Sequence, residues 1–463
     1  MMLLERFHSL VEEGWQPVFA RRASRHRAIE QATAHICVFG HRLLSRVICT
    51  LGRHDQDWSA DYKIFSRSPW KGDALFDPVL KEYLRRFPER RIVIALDDTI
   101  LKKTGRKIET VRFLRDPMSF PFWVNLIRGL RFVQATLLLP LYREGDHSAR
   151  SLPIRFRESP PLKKPGKQAG EEECENYREA KKQHTLSLQA LEVIRSVRTS
   201  LDDKGAGNRR LLISMDGSYC NRTMFRAELE RVDLVARCRK DASLCFPAPP
   251  GSRRRYGETS FTPEAVRKDE TIPWKKASVY YGGQWREVRY KAVSDVLWRR
   301  GALTRPLRLI VIAPQPYKPS PHSKTLYRDA AYLLCTDLSG EEPEIIQAYL
   351  DRWQIECNHR DEKEILGVGR AQVRSPKSVA RHPAFAVAVY SILLLAGLLE
   401  FGPARTEHYI PLPNWRKKTP TRPSILDLIA VMRKEINETA ASDSEQANFY
   451  KNIAKYGPLY ACT

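Results

Sequence analysis

Apolar positions in the first 88 residues recur at helical spacing, and Leu3, Leu4, Phe7, Leu10 and Val11 open the chain on one helix face. The pattern changes at residue 91. Arg91 leads into Ile92-Val93-Ile94-Ala95-Leu96, a short β-branched run closed by Asp97-Asp98-Thr99. It predicts a buried strand that delivers carboxylates at its C-terminal end. Gln134 to Leu139, stopped by Pro140, predicts a second strand, and Arg210 to Met215, ending in Asp216-Gly217-Ser218, predicts the clearest one. Strand character returns in Val232–Arg237, Leu307–Ile312 and Ala331–Cys335. Helical patterns separate these runs: a long polar helix over about 171–200, a short one near 221–230, one over about 341–366 and an apolar one over about 377–400. Ser424, with Asp427 three residues on, caps a final amphipathic helix. The alternation between about 90 and 400 predicts an α/β core rather than an all-α one.

Residues 239–305 break that alternation with Pro247 to Pro250, the run Arg253-Arg254-Arg255, and a hairpin signal at Gly282-Gly283 flanked by Val279-Tyr280-Tyr281 and Trp285. They predict a β-rich insertion. Residues 158–170 form a Pro/Gly/Lys-rich loop, and 402–423 are Pro-punctuated and basic, with Arg416, Lys417 and Lys418. The expected organisation is a helical N-terminal region (1–88), a core in two parts (89–238 and 306–401) split by the insertion (239–305), and a small helical C-terminal region (402–463). Pro383 to Leu399 carries no charge over 17 residues, the lower edge of a bilayer span, and no second such stretch exists. A buried core helix is expected there, and no membrane partner.

Charge changes the picture. Across 463 residues, 78 Lys and Arg against 54 Asp and Glu leave +24. Such a surplus points to a polyanionic partner: DNA, RNA or an anionic membrane surface. The 42% hydrophobic content excludes global disorder. Nine scattered cysteines with no Cys-x-x-Cys pair argue against a disulfide framework or structural zinc and fit a reducing cytoplasm. No secretory signal is evident in Met1 to Arg6. Arg21, Arg22, Arg25 and Arg27 cluster near His26, as either a solvated helix face or a DNA-phosphate contact.

Asp98 and Asp216 each close a predicted strand, a common position for active sites in α/β folds, although Asp also favours turns. The helix from 341 adds a second pattern. At about 100° per residue, Tyr349, Arg352, Glu356 and Lys363 fall within about 60° of arc. An ion-paired surface face is one reading, since Arg352 and Glu356 are four residues apart. Trp353, Ile346 and Ile355 suggest instead a covered helix, and a stripe of one carboxylate, two cations and a phenol suits metal and phosphate chemistry.

Leu96-Asp97-Asp98-Thr99, Ser214-Met215-Asp216-Gly217 and Tyr349-x2-Arg352-x3-Glu356-x6-Lys363 resemble the three motifs of DDE transposases, and more narrowly the insertion-sequence transposases with a Tyr-Arg-Glu-Lys signature. The phrases Asp116-Pro117-Met118-Ser119-Phe120-Pro121-Phe122-Trp123-Val124-Asn125-Leu126 and Arg352-Trp353-Gln354-Ile355-Glu356 are also similar to that family. The resemblance covers about residues 90–400. It implies an RNase H-like mixed sheet flanked by helices, with Asp98, Asp216 and Glu356 as catalytic residues holding two Mg²⁺ or Mn²⁺ ions. The family places its aspartate directly before Thr, which favours Asp98 and leaves Asp97 to a loop or a basic neighbour. Tyr349, Arg352 and Lys363 would contact DNA phosphates, and Trp285, Tyr280 and Tyr281 are candidates for stacking on an extruded base, with simple hairpin packing as the alternative.

The implied activity is cut-and-paste transposition, with cleavage through a hairpin at the element end. The implied partners are double-stranded DNA, as transposon ends and target, and a second copy of the chain in a DNA-bound homodimer. The implied setting is the bacterial cytoplasm, at the nucleoid when DNA is bound. A structure-specific nuclease or resolvase on the same core, or a non-catalytic DNA-binding regulator, are the competing functions.

Overall fold

A computed structural model describes every residue except 1, 89–90, 117–118, 121, 146, 321, 417–419, 442–446 and 460–463. Lys417 and Lys418, Cys462, and Pro117, Met118 and Pro121 therefore lie outside the described residues. The chain opens with helices α1 (Leu3–Trp15), α2 (Arg22–Cys37), α3 (Leu44–Thr50), α4 (Ser59–Ser66) and α5 (Asp77–Arg86). α1 buries Leu3, Leu4, Phe7, Val11 and Trp15, the face that the helical spacing marks.

The central sheet begins with β1 (Ile92–Lys102), β2 (Arg112–Arg115), β3 (Leu126–Leu139) and β4 (Arg150–Glu158). Helices α6 (Glu171–Gln183) and α7 (Leu186–Asp203) cross to β5 (Leu211–Met215); one turn of helix, α8 (Arg222–Phe225), leads to β6 (Val232–Arg237). β4, β3 and β1 are antiparallel neighbours, and β5 and β6 continue the sheet parallel to β1. The order β4-β3-β1-β5-β6, three antiparallel strands and then two parallel ones, is the RNase H-like mixed sheet.

The chain continues through β7 (Leu244–Pro247), β8 (Tyr256–Phe261), α9 (Pro263–Lys268), β9 (Lys275–Tyr281), β10 (Gln284–Leu297), β11 (Pro306–Ile312), β12 (Gln315–Tyr317), β13 (Leu326–Arg328) and β14 (Ala331–Cys335). β14 pairs with β6 and β11, β11 with β10, and β10 with β7 and β9, so these strands extend the same sheet, while β12 and β13 form a separate two-stranded one. Gly282 and Gly283, at φ of 65° and 84°, make the β9–β10 turn with the left-handed backbone that this turn needs.

Helices α10 (Glu342–Asp351), α11 (Trp353–Arg360), α12 (Pro376–Phe401), α13 (Ile425–Ala440) and α14 (Ala447–Leu459) complete the chain. α12 is buried from Ser378 to Leu398 almost without interruption, against β4, α1 and α4, as a core helix is. α13 carries the expected capping box between Ser424 and Asp427. It packs on α1, and the Glu435 carboxylate accepts from the Leu3 and Leu4 N–H groups at 3.1 and 2.7 Å. The two ends of the chain thus share one core.

Several elements differ from the sequence expectations. The polar helix over 171–200 is two helices, because Thr185 stops α6 and caps α7 by accepting from the Leu188 N–H at 3.3 Å. The helix near 221–230 is a single turn. β4 is an additional strand, whose Leu152, Ile154 and Phe156 alternate with polar residues; its Pro153 sits at a register shift, where a missing N–H costs little. β1 runs five residues beyond Asp97, to Lys102, so both aspartates are inside the strand rather than at its end.

Glu435→Ala is expected to lower stability by about 1–2 kcal/mol, as lost helix caps do. Urea denaturation followed by far-UV circular dichroism measures this. An unchanged midpoint would remove the α1–α13 junction from the contacts that hold the termini together.

Candidate active site

Alternation along β1 sorts its residues onto two faces. Val93 and Ala95 pack against Ile355 of α11, while Ile92, Ile94 and Leu96 enter the main core. Asp97 falls on the α11 side and Asp98 on the other. Asp98 accepts from the Tyr219 hydroxyl at 3.2 Å and lies 3.7 Å from the Arg131 guanidinium. Asp97 does meet a basic neighbour, but it is Arg352 of the stripe, at 3.6 Å. The two aspartates thus face opposite sides of β1, and the charge of Asp216 reaches both. The strand does not end at these residues, and the face beneath the Glu356 helix belongs to Asp97.

Asp216 stands just past β5, next to β1, and caps a 3₁₀ turn by accepting from the Ser218 N–H at 2.7 Å. Its charge reaches Asp97, whose carboxyl is pushed up to about 7, first by burial and then by Asp216, with Arg352 opposing. Burial raises Asp98 as well, with Asp216 adding to the rise and Arg131, Tyr219 and Lys363 opposing it. Glu356 is about one-third exposed and accepts from Arg352 Nη2 at 3.2 Å. Arg352 thus stands between Asp97 and Glu356. Its Nε and Nη1 are buried without a hydrogen-bond partner. Such orphaned donors are costly unless a ligand takes them.

The stripe holds together, but not on one ideal helix. The ladder tightens after α10, where the Ile355 N–H donates to the Arg352 carbonyl at 3.0 Å. It then widens into a π-helical turn, Asp361–Ile365, in which the Leu366 N–H donates to the Asp361 carbonyl at 3.0 Å. An advance of about 100° per residue does not hold through that turn. Lys363 nevertheless reaches the site: burial lowers it, while Glu362 and Asp97 support its charge. Tyr349 is raised by burial, with Arg237 and Arg352 opposing and Asp216 and Glu356 adding to the rise. Asp97, Asp98, Asp216, Tyr349, Arg352, Glu356 and Lys363 therefore form one electrostatic neighbourhood.

Sequence reasoning missed Gln134 and Glu362. Gln134 is directly across from Asp97 in the β1–β3 ladder and donates to the buried Glu362 at 3.0 Å. Burial pushes Glu362 up to about 8. A lone polar residue opening the apolar Gln134–Leu139 run was the available signal. Nothing in the sequence separates a buried helical Glu from a solvated one.

The stacking candidates separate. Tyr280 is buried, stacked on Tyr142 at 5.5 Å and met edge-on by Trp285, so hairpin packing accounts for it and it is withdrawn as a base-stacking residue. Trp285 stays half-exposed. Tyr281 lines a cavity of about 510 Å³ with Tyr317, Tyr327, Arg237, Arg328 and Tyr349, beside the carboxylates. Of the N-terminal arginines, Arg27 pairs with the buried Asp61 at 3.4 Å, while Arg21 and Arg22 are exposed and Arg25 half-buried. His35, near the other end of α2, contacts the Leu366 carbonyl at 3.0 Å. At 1.5 Å per residue, Arg22 is therefore roughly 20 Å along α2 from that contact.

A family model described as DDE superfamily endonuclease matches residues 17–305. The chain belongs to that family. The matched span holds Asp97, Asp98 and Asp216 and ends before Glu356. No curated protein matches the sequence. Among solved structures, a cryo-EM structure of the piggyBac transposase synaptic complex with hairpin DNA is similar, at 11% identity and a TM-score of 0.35, over 98% of this chain and 85% of that one.

A divalent metal is the group the family implies, and the donor set suits it: three carboxylates, hard oxygen ligands throughout. The raised Asp97 carboxyl marks an excess of buried negative charge that a cation would offset. Among the described residues, however, no three Asp, Glu, His or Cys side chains are gathered as a closed cluster, and Glu356 is turned to Arg352.

The sign of the Asp97 shift sets a pH dependence. A carboxyl raised from 3.8 to about 7 holds its proton more tightly in the folded chain. Folding stability is therefore lost as pH rises from about 4 through 7. In chelator, Asp97→Asn is expected to be the more stable protein at pH 8, by something on the order of 2 kcal/mol, with the gap narrowing as pH falls and closing by about pH 4. Thermal melts of parent and variant across that range test this. Glu362 and Asp351, pushed up to about 8 and about 7, titrate in the same window, so the difference between the two proteins is the informative quantity.

Proposed function

We propose that this chain is a DDE transposase that cleaves the ends of a mobile element and joins their 3′-OH groups to target DNA. The observation that carries the reading is the placement of Asp97 and Asp216 beneath the helix that bears Arg352 and Glu356. In this reading Asp97, not Asp98, is the first metal ligand, with Asp216 the second and Glu356 the third. A pair of Mg²⁺ or Mn²⁺ ions held there would supply Lewis-acid stabilisation for an in-line displacement at phosphorus.

The chain's own residues bind and orient the DNA. Arg352, whose Nε lacks a hydrogen-bond partner, offers a donor to a phosphate beside the scissile bond. Glu356 would complete the ligand set in exchange for its contact with Arg352, which would free Nη2 of that guanidinium for the phosphate. Tyr349 and Lys363 hold flanking phosphates from either end of the stripe. Asp98, fixed by Tyr219 and Arg131, positions β1. Double-stranded DNA is the substrate, a homodimer bridges two ends, and excision proceeds by cut-and-paste through an end hairpin. The cavity beside Tyr349, lined by Tyr281, Tyr317 and Tyr327, takes over the base-stacking role expected of Tyr280.

DNA that carries the inverted repeats flanking the coding gene is the test substrate. Asp97→Asn, Asp216→Asn and Glu356→Gln should each reduce Mg²⁺-dependent cleavage by more than about 100-fold, since even outer-shell partners of a metal ligand cost 10–100-fold. Asp98→Asn should retain most of it. If Asp98→Asn is inactive and Asp97→Asn active, the assignment on β1 is wrong. Cleavage of branched DNA without terminal repeats would favour a resolvase.

Lys363→Ala should flatten the dependence of log K on log salt by about 0.9, one phosphate contact. Fluorescence anisotropy over a salt series measures it. An unchanged slope takes Lys363 off the phosphate list.

A further inference from the structure

The β2–β3 hairpin has a surface that the catalytic reading does not use. Phe113, Phe120, Phe122, Trp123, Val124 and Leu126 are 55–94% exposed there. Contiguous apolar surface of this kind on a soluble chain marks a contact site. In the ladder Phe113 is across from Arg128 and Arg115 across from Leu126, so one face alternates apolar and cationic side chains. Arg112 and Arg128 are anchored by backbone carbonyls rather than by carboxylates, which leaves their charge uncompensated.

A second feature leads to the same hairpin. A groove of about 940 Å³ runs from Lys363, past Lys102, Lys103 and Arg370, to Arg106 and Lys107 near the root of β2. Leu126 is eight residues along β3 from Gln134, the partner of Asp97. At about 3.3 Å per residue, the base of the hairpin tip lies roughly 26 Å from the carboxylates. That is about eight base pairs of duplex at 3.4 Å each.

We propose that this hairpin is a DNA-docking finger: its arginines hold the backbone of a duplex lying in the Lys363–Arg106 groove, and Phe120, Phe122 and Trp123 stack on or wedge between its bases. Aromatic wedges flanked by cations suit a deformed duplex. A second copy of the chain is the other occupant an apolar tip could take. Residues 106–128 hold five Arg and Lys against two Asp and Glu, on a chain of net charge +24, so two such surfaces repel while DNA is attracted. The proposal rests on the reading of the chain as a DNA-binding protein.

Binding of the full-length protein to a labelled duplex several helical turns long, in chelator, tests it apart from catalysis. The combined change Phe120→Ser, Phe122→Ser, Trp123→Ser should weaken binding about tenfold or more. The salt slope should not change, because stacking releases no counterions. Arg115→Ala with Arg128→Ala should instead flatten the slope by up to about 1.8, two phosphate contacts. Unchanged affinity in the aromatic variant overturns the finger. So does a loss of affinity accompanied by a fall from dimer to monomer in sedimentation, which would hand the tip to a second copy. Absence of cleavage in a parent protein that binds DNA through the finger would overturn the transposase reading and leave the finger standing.

Discussion

The site is organised around a buried negative charge. Asp97 and Asp216 end up near one another because β1 and β5 are parallel neighbours, and the charge of Asp216 reaches a carboxyl that is already buried. Burial and the neighbouring negative charge both disfavour the ionised form of Asp97, and a cation offsets them. Arg352 supplies part of that compensation from above, and it is shared with Glu356. Other features of the site follow from the same constraint. The helix that carries Arg352 and Glu356 must lie over β1, Ile355 seals it onto Val93 and Ala95, and Lys363 is drawn in from the π turn.

The sheet was legible where burial leaves a simple trace. The apolar runs before Asp97 and Asp216 are the central strands, and the Gly282-Gly283 hairpin and the Ser424 cap are where their residues place them. The choice between Asp97 and Asp98 was not legible, for a definite reason. An Asp-Asp-Thr step looks like the end of a strand, since Asp disfavours strand interiors. Here pairing with β3 carries β1 on to Lys102, and alternation then decides which carboxylate meets α11. The adjacent residue in the sequence is on the opposite face in space.

The stripe shows the converse. Four residues at the right spacing meet around the carboxylates although the helix that should align them is tightened at one place and widened at another. The spacing picked out residues that lie together in space, while the assumed geometry was only approximate. π turns inserted in helices often accompany functional sites, because they re-aim side chains that a regular helix would point elsewhere. In this chain the turn carries Glu362 to Gln134 and leaves Lys363 within reach of both Asp97 and Asp98. No local pattern announces it, because its cause is the tertiary partner on β3.

The surplus of +24 needs a similar correction. It suggested a basic surface, but several of its charges are inside. Arg42, Arg150, Arg198 and Arg308 are buried and donate to backbone carbonyls, such as those of His35, Pro423 and Ala206. Arg155 is fully buried and reaches both Ser196 and Asp73. A guanidinium satisfied by carbonyls keeps its charge, so these groups contribute to the field of the protein without touching a partner. Net charge therefore overstates the number of direct phosphate contacts. It still raises the potential around a buried acidic centre, and it favours an anionic substrate approaching three carboxylates that would otherwise repel it.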